Sequence, residues 1–183
     1  MLHLIPASLH RLLYRWAHRA RKRWLRLRGG HVRGCSIIAR DGDGRVLLVR
    51  HSYGSGLWSL PGGGLGRSED PLAGAYREFA EELGCALVDL RLVATLDETY
   101  HGARHEAHVV TGQVDGTPRP DMREIVDARF FAADALPQDK VRVVAERLAL
   151  FQLQIGKGPF VSSEVETPPR GISTSDLQVR SSS

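Results

Sequence analysis

Only two cysteines and two methionines occur in these 183 residues, aromatic residues make up 7%, and no run of 18 apolar residues appears anywhere. The missing apolar run speaks against a membrane-spanning helix. Cys35 and Cys85 lie fifty residues apart with no CxxC or Cys/His pairing, which speaks against a disulfide framework or a zinc knuckle and makes a reducing cytoplasm the expected compartment. Acids are missing from residues 1–33, which hold nine Lys/Arg, so 16 Lys/Arg face 21 Asp/Glu in the remainder, a balance of −5. The net charge of +4 therefore belongs to an arm and not to the body. A body rich in carboxylate is a poor nucleic-acid surface, whereas converging carboxylates are what a bound divalent cation needs. With 42% hydrophobic residues and 19 glycines, the chain has the composition of one soluble domain with tails.

Three segments follow from the patterning. In residues 1–30, Leu9, Leu12, Leu13, Trp16, Ala20, Trp24 and Leu27 form a helical stripe, with Arg11, Arg15, Arg19, Lys22 and Arg26 largely opposite, a basic amphipathic helix. Residues 1–28 suit an anionic membrane, RNA or an import signal; packing on the chain's own domain is the plainer alternative. Residues 31–155 read as a mixed α/β domain. Strands are expected at 34–40 and 46–49, joined as a hairpin by Asp41-Gly42-Asp43-Gly44, and at 88–95, 107–114 and 128–132, with a helix over 140–153. Residues 156–183 turn to Ser, Thr, Pro and Gly and read as a disordered tail.

The chemistry concentrates in 60–85, LPGGGLGRSEDPLAGAYREFAEELGC. Three glycines, Gly62 to Gly64, free the backbone to approach a ligand closely. Asp70-Pro71 is a helix start and Gly84 a helix stop, which predicts a helix over 71–83. Leu72, Tyr76, Phe79 and Leu83 fall on one side as a core face, and Glu78, Glu81 and Glu82 on the other. Like charges at i, i+3 and i+4 repel by roughly 0.2–0.5 kcal/mol per exposed pair, and no lysine stands among them. A hard cation removes that repulsion, and carboxylates suit Mg²⁺ or Mn²⁺ better than zinc. A merely acidic helix is the alternative.

The spacing from Gly63 extends the argument: five residues to Glu69, seven more to Arg77-Glu78, then Phe79, Ala80, Glu81-Glu82, Leu83, Gly84 and Cys85. This closely resembles the Nudix box, G-x5-E-x7-R-E-U-x-E-E-x-G-U, with U a bulky apolar residue, and all seven fixed positions match. Phe79 and Cys85 stand where aliphatic residues are usual, which bears on packing and not on metal binding. The similarity continues into GLWSLPGG before the helix and EIVDARFFAADALP after it, spanning residues 31 to about 153.

The resemblance implies an α/β/α sandwich with a mixed sheet, and hydrolysis of a nucleoside diphosphate derivative (an NTP, a dinucleoside polyphosphate or a nucleotide sugar) with Mg²⁺ or Mn²⁺. It further implies Glu78, Glu81, Glu82 and the Gly62 carbonyl as metal ligands, Glu69 as the partner orienting Arg77, and Glu81 or Glu82 as base. Glu124, in REIVDARFF, is similar to a fourth carboxylate that completes such metal sites or acts as base; Asp97, Glu98 and Glu106 compete with it. Tyr53, Trp58 and Tyr100 are candidates to stack on a base, and Arg50 and Arg67 to hold phosphate, with ordinary packing or surface roles as the alternative for each. His101, His105 and His108 with Glu106 lack a zinc motif and fall in or near a strand, where the i, i+4 pair need not share a face. Cys35 and Cys85 read as core. A catalytically silent nucleotide- or partner-binding module is the competing function, and the intact set of box glutamates weighs against it.

Overall fold

The structure, a computed structural model, describes residues 32–100 and 103–155. The basic arm, the tail and His101 lie outside the described residues, as does the side chain of Tyr100. In chain order the elements are β1 (Val32–Arg40), β2 (Val46–His51), β3 (Trp58–Ser59), β4 (Gly64–Leu65), α1 (Pro71–Leu83), β5 (Ala86–Tyr100), β6 (Ala103–Asp115), β7 (Ile125–Phe131) and α2 (Arg142–Ile155). They form an α/β/α sandwich around one seven-stranded mixed sheet. Among the described residues no helix is long and apolar enough to cross a membrane.

The expected β1–β2 hairpin is only its own base. Asp41 to Arg45 make the turn, with Gly44 at φ +78°, Asp41 N–H donating to the Arg45 carbonyl and Gly44 N–H to that of Asp41, both at 3.0 Å, but the strands pair only at Arg40–Val46. β1 instead runs parallel to β6 from Val32–His105 to Arg40–Gln113, and β2 pairs along its length with β7. This frees one edge of the first half of β1. The glycine tract lies along it, with Cys35 N–H donating to the Gly63 carbonyl and Ile37 N–H to that of Pro61, both at 2.9 Å.

The strands alternate sides, so each face of the sheet carries its own core. Cys35, Ile37, Leu47, Val49, Leu87, Val110 and Ile125 pack under α1, against Leu72, Ala75, Phe79 and Leu83. Ile38, Val46, Leu48, Trp58, Val93 and Val109 pack under α2, against Val144, Leu148 and Phe151. Phe79 is fully buried and Cys85 packs at the edge of the first cluster, so neither departure from the aliphatic pattern disturbs the core.

α1 begins and ends as its sequence dictates. The Asp70 carboxylate accepts from Leu72 N–H at 3.0 Å and Ala73 N–H at 2.9 Å, Pro71 takes the first turn, and Gly84 closes the helix at φ +63°. Two residues depart from the expected faces. Tyr76 is 37% exposed, while Glu82, placed with the outward carboxylates, is only 5% exposed. The helix is rolled toward the glycine tract, where no side chains hold it off.

Candidate active site

Glycine makes the site by absence. Gly62 lies at φ +140°, and a Cβ there would sit 2.2 Å from the Cys35 carbonyl oxygen; one on Gly63 would sit 2.3 Å from Glu78 Oε2. Only a chain without Cβ atoms lets the carboxylate face of α1 approach this backbone. Leu72, Phe79 and Leu83, each worth about 1.5–3 kcal/mol when buried, hold the helix down against the cost of carrying Glu78 and Glu82 inward.

Arg77 organises the outer half of the cluster. Its Nε donates to Glu69 Oε1 at 2.9 Å and its Nη2 to Glu69 Oε2 at 3.2 Å, a bidentate pair. Nη1 donates to Glu78 Oε1 at 2.9 Å and Glu81 Oε2 at 3.3 Å. Glu69 also accepts from Gly66 N–H at 2.7 Å. Hydrogen bonds from Arg77 and Gly66 hold the Glu69 carboxyl below its ordinary range, and the Glu69 bond in turn raises the guanidinium further. Glu78 moves the other way, because burial outweighs its bond to Arg77.

Glu82 is the inner member. Burial, then the Glu78 and Glu124 carboxylates, push its carboxyl up to about 9, against a hydrogen bond with the Gly62 backbone that favours the ionised form. Its Oε2 is buried and has no hydrogen-bond partner. A buried acceptor without a donor costs roughly 1–3 kcal/mol, a cost that a bound water or cation would remove. Beneath it, burial raises the Cys35 thiol to about 11, which leaves it an inert part of the floor.

The donor set, all carboxylate with one backbone carbonyl in the tract, fits a hard dication in type and number. Among the described residues no three such side chains converge closely enough to hold a metal ion; Glu78 and Glu81 both accept from Arg77 Nη1. A family model for the NUDIX domain matches residues 30–151. The chain belongs to the Nudix family. It is similar to a MutT NUDIX hydrolase from Burkholderia pseudomallei, at 32% identity and a TM-score of 0.58 over 68% of this chain and 98% of that one. Shorter matches link it to an RNA pyrophosphohydrolase of Teredinibacter turnerae, 41% identical over 58 residues, and to an ADP-ribose pyrophosphatase of Mycobacterium tuberculosis, 37% identical over 71 residues. Those two matches cover 32% and 37% of this chain, and the chain spans about a third, 34%, of the length of each.

The Nudix domain separates the remaining candidates. Glu124 stands just before β7, near enough for its charge to act on Glu82. The three competing carboxylates are engaged elsewhere: Glu98 with the buried Arg147, and with His105 at 3.8 Å, Glu106 with Arg33 at 2.8 Å and His108 at 2.7 Å, and Asp97 with Arg104 at 3.9 Å. His105 and His108, three apart on β6, project to opposite faces. Burial lowers the His105 imidazole, outweighing the Glu98 charge that raises it.

Two candidate substrate residues belong to the opposite side of the sheet, a correction to the reading of the sequence. Trp58 is 3% exposed and packs edge-on to Phe131 at 5.1 Å. Arg50 and Arg129 stack over it at 4.6 and 5.6 Å, so no ring face is open to a base. Arg50 is itself committed to Asp139 at 2.6 Å and the Gly56 carbonyl at 3.1 Å. Tyr53 lies half-buried beside His51, ring centroids 5.1 Å apart, and Arg67 is exposed in the loop before α1.

Sequence reasoning missed Arg33. Its Nη1 reaches the carbonyls of Gly66, Arg67 and Glu69 at 2.8, 3.3 and 2.9 Å, clamping the loop that presents Glu69. Its basic neighbours made it look like the end of the arm, and only the register of β1 puts it here.

Proposed function

We propose that this Nudix domain is a divalent-metal-dependent pyrophosphohydrolase acting on a diphosphate linkage in a nucleotide derivative. The observation that carries this reading is the partnerless Oε2 of Glu82, set among Glu78 and Glu124 above a tract where only glycine fits. Glu78, Glu81, Glu82, Glu124 and the Gly62 carbonyl would hold Mg²⁺ or Mn²⁺. The cation, when bound, neutralises phosphate charge and makes a neighbouring water more acidic.

The chain's own residues do the rest. Glu81 or Glu82 takes the proton from the attacking water as its oxygen bonds to phosphorus; the bridging P–O bond breaks and its electron pair leaves with the second phosphate. Glu69 fixes Arg77, and Arg77 keeps Glu78 and Glu81 from swinging into solvent. Tyr53 and Arg67 are the substrate contacts this reading retains, and Tyr100 remains a third on sequence grounds. The similar proteins named above, one for RNA and one for ADP-ribose, support a nucleotide with a diphosphate as the substrate class.

The test is turnover of a panel with Mg²⁺ or Mn²⁺: NTPs, nucleotide sugars including ADP-ribose, dinucleoside polyphosphates, and RNA with a 5′ polyphosphate or cap. Cleavage within a diphosphate that Glu82→Gln abolishes is the expected result. Intact substrates throughout, at several pH values, would overturn it. Docking of residues 1–28 to anionic membrane or RNA belongs to the same reading, and salt-sensitive binding that survives removal of the arm would refute that part.

A further inference from the structure

The loop between β6 and β7 joins two parts of the site that lie far apart in sequence. Arg119 N–H donates to the Leu83 carbonyl at 2.7 Å and Asp121 N–H to that of Glu82 at 3.0 Å, so the loop satisfies carbonyls that the end of α1 leaves open. The Asp121 side chain then turns the other way. Its Oδ1 accepts from the backbone N–H of Arg123, Glu124 and Ile125, each at 2.9 Å, and Oδ2 lies 3.3 Å from the Glu124 nitrogen. Met122, between the two functions, sits at φ +59°, a conformation a long side chain enters only when its neighbours over-determine it.

The far side of Glu124 is gripped as well. Its carbonyl accepts from Ser52 N–H at 2.7 Å, and Ser52 Oγ donates to the Arg123 carbonyl at 2.6 Å. With its oxygens spent on backbone amides, Asp121 is a poor candidate ligand for a cation. We infer that Asp121 is a positioning residue, whose backbone is pinned to the end of the Nudix helix while its carboxylate sets Glu124 against Glu82. The inference rests on the role given to Glu124 above.

The test is a double-mutant cycle on the full chain, read both by Mn²⁺ affinity from the electron paramagnetic resonance of free Mn²⁺ and by kcat against KM. Asp121→Ala should reproduce whichever loss Glu124→Gln causes, about 10- to 100-fold as for other groups that orient ligands. The double variant should be no worse than Glu124→Gln alone. Asp121→Asn, which keeps an acceptor oxygen for the three amides, should stay close to wild type in both readouts. Thermal melts establish folding; should the alanine variant not fold, Asp121→Glu keeps the charge, displaces the acceptor by one methylene, and should show the same coupled loss. Losses that multiply independently, or an unaltered Asp121→Ala beside an impaired Glu124→Gln, overturn the inference while leaving the site reading intact if Glu82→Gln is dead. A Glu124→Gln variant with no defect in either readout overturns it too. Wild-type protein that neither binds Mn²⁺ nor turns over any substrate overturns both.

Discussion

Replacing Glu82 by glutamine should stabilise the metal-free protein while abolishing its activity. The Glu82 carboxyl titrates near 9 in the fold, against an ordinary value of 4.5. Between those values the folded chain keeps a proton that the unfolded chain releases, so rising pH favours unfolding, by about 1.4 kcal/mol per pH unit. At pH 7.5, three units above the ordinary value, the accumulated loss is on the order of 4 kcal/mol; at pH 5 it is below about 1 kcal/mol. Glutamine carries no such proton. Its oxygen can take the Gly62 hydrogen bond, and its amide can point where Oε2 now lies without a partner, toward the neighbouring carboxylates. Melting followed by circular dichroism in EDTA should therefore show the variant roughly 10–15 °C above wild type at pH 7.5 and within a few degrees of it at pH 5. Saturating Mn²⁺ should raise only the wild type and narrow the gap. A variant that melts with or below wild type at both pH values would refute the claim that Glu82 is held in a dry cradle made for a charge it does not yet balance.

Gly63→Ala places a Cβ on Glu78 and should cut kcat by about tenfold or more with little change in melting temperature, since a carboxylate can move where backbone cannot; steady-state kinetics beside a melt decide it. Gly62→Ala meets the Cys35 carbonyl instead and should fail to fold or lose several degrees of stability, read in the same melt. Arg50→Ala removes a stack on Trp58 and an ion pair with Asp139, so it should lower the melting temperature and leave KM unchanged; a raised KM would restore Arg50 as a phosphate contact. Chelation with EDTA should abolish turnover, and restored Mg²⁺ or Mn²⁺ should recover it with unaltered KM for substrate.

The sequence carried the helix and its termini because capping is local: Asp70, Pro71 and Gly84 act within a turn of where they stand. It carried the box carboxylates through their spacing. Contacts made across the sheet were not legible. β1 looked like half of a hairpin, since nothing in VRGCSIIAR says that its partner is β6, more than sixty residues later. Trp58 and Arg50 looked like ligand contacts because aromatic and cationic residues beside a glycine tract look alike whether they face substrate or core. Only the alternation of β2 and β3, set by their register, sends both to the α2 side. The outward-facing reading of Glu82 failed for a related reason: a helical wheel gives angles around an axis but not the roll of the helix, and here missing side chains on Gly62 and Gly63 decide the roll.

The glycine tract, the paired glutamates and the loop carrying Glu124 are therefore one arrangement seen in three places. Ordinary packing would place large residues opposite α1 along its whole length, and Leu72, Phe79 and Leu83 do meet such residues. Opposite Glu78 and Glu82 the backbone is bare, which brings the carboxylates close to main-chain groups at a cost in desolvation that no neighbouring lysine or arginine removes for Glu82. Arg77 balances the outer carboxylates, held by Glu69, but its Nη1 reaches only Glu78 and Glu81. Five carboxylates and one guanidinium gather there, an excess of four negative charges when all are ionised, and an anionic diphosphate would be repelled from such a surface. The same excess that makes the metal-free site unstable would give a dication its affinity, so the stability sacrificed at Glu82 and the metal dependence of the proposed activity would have a single electrostatic origin.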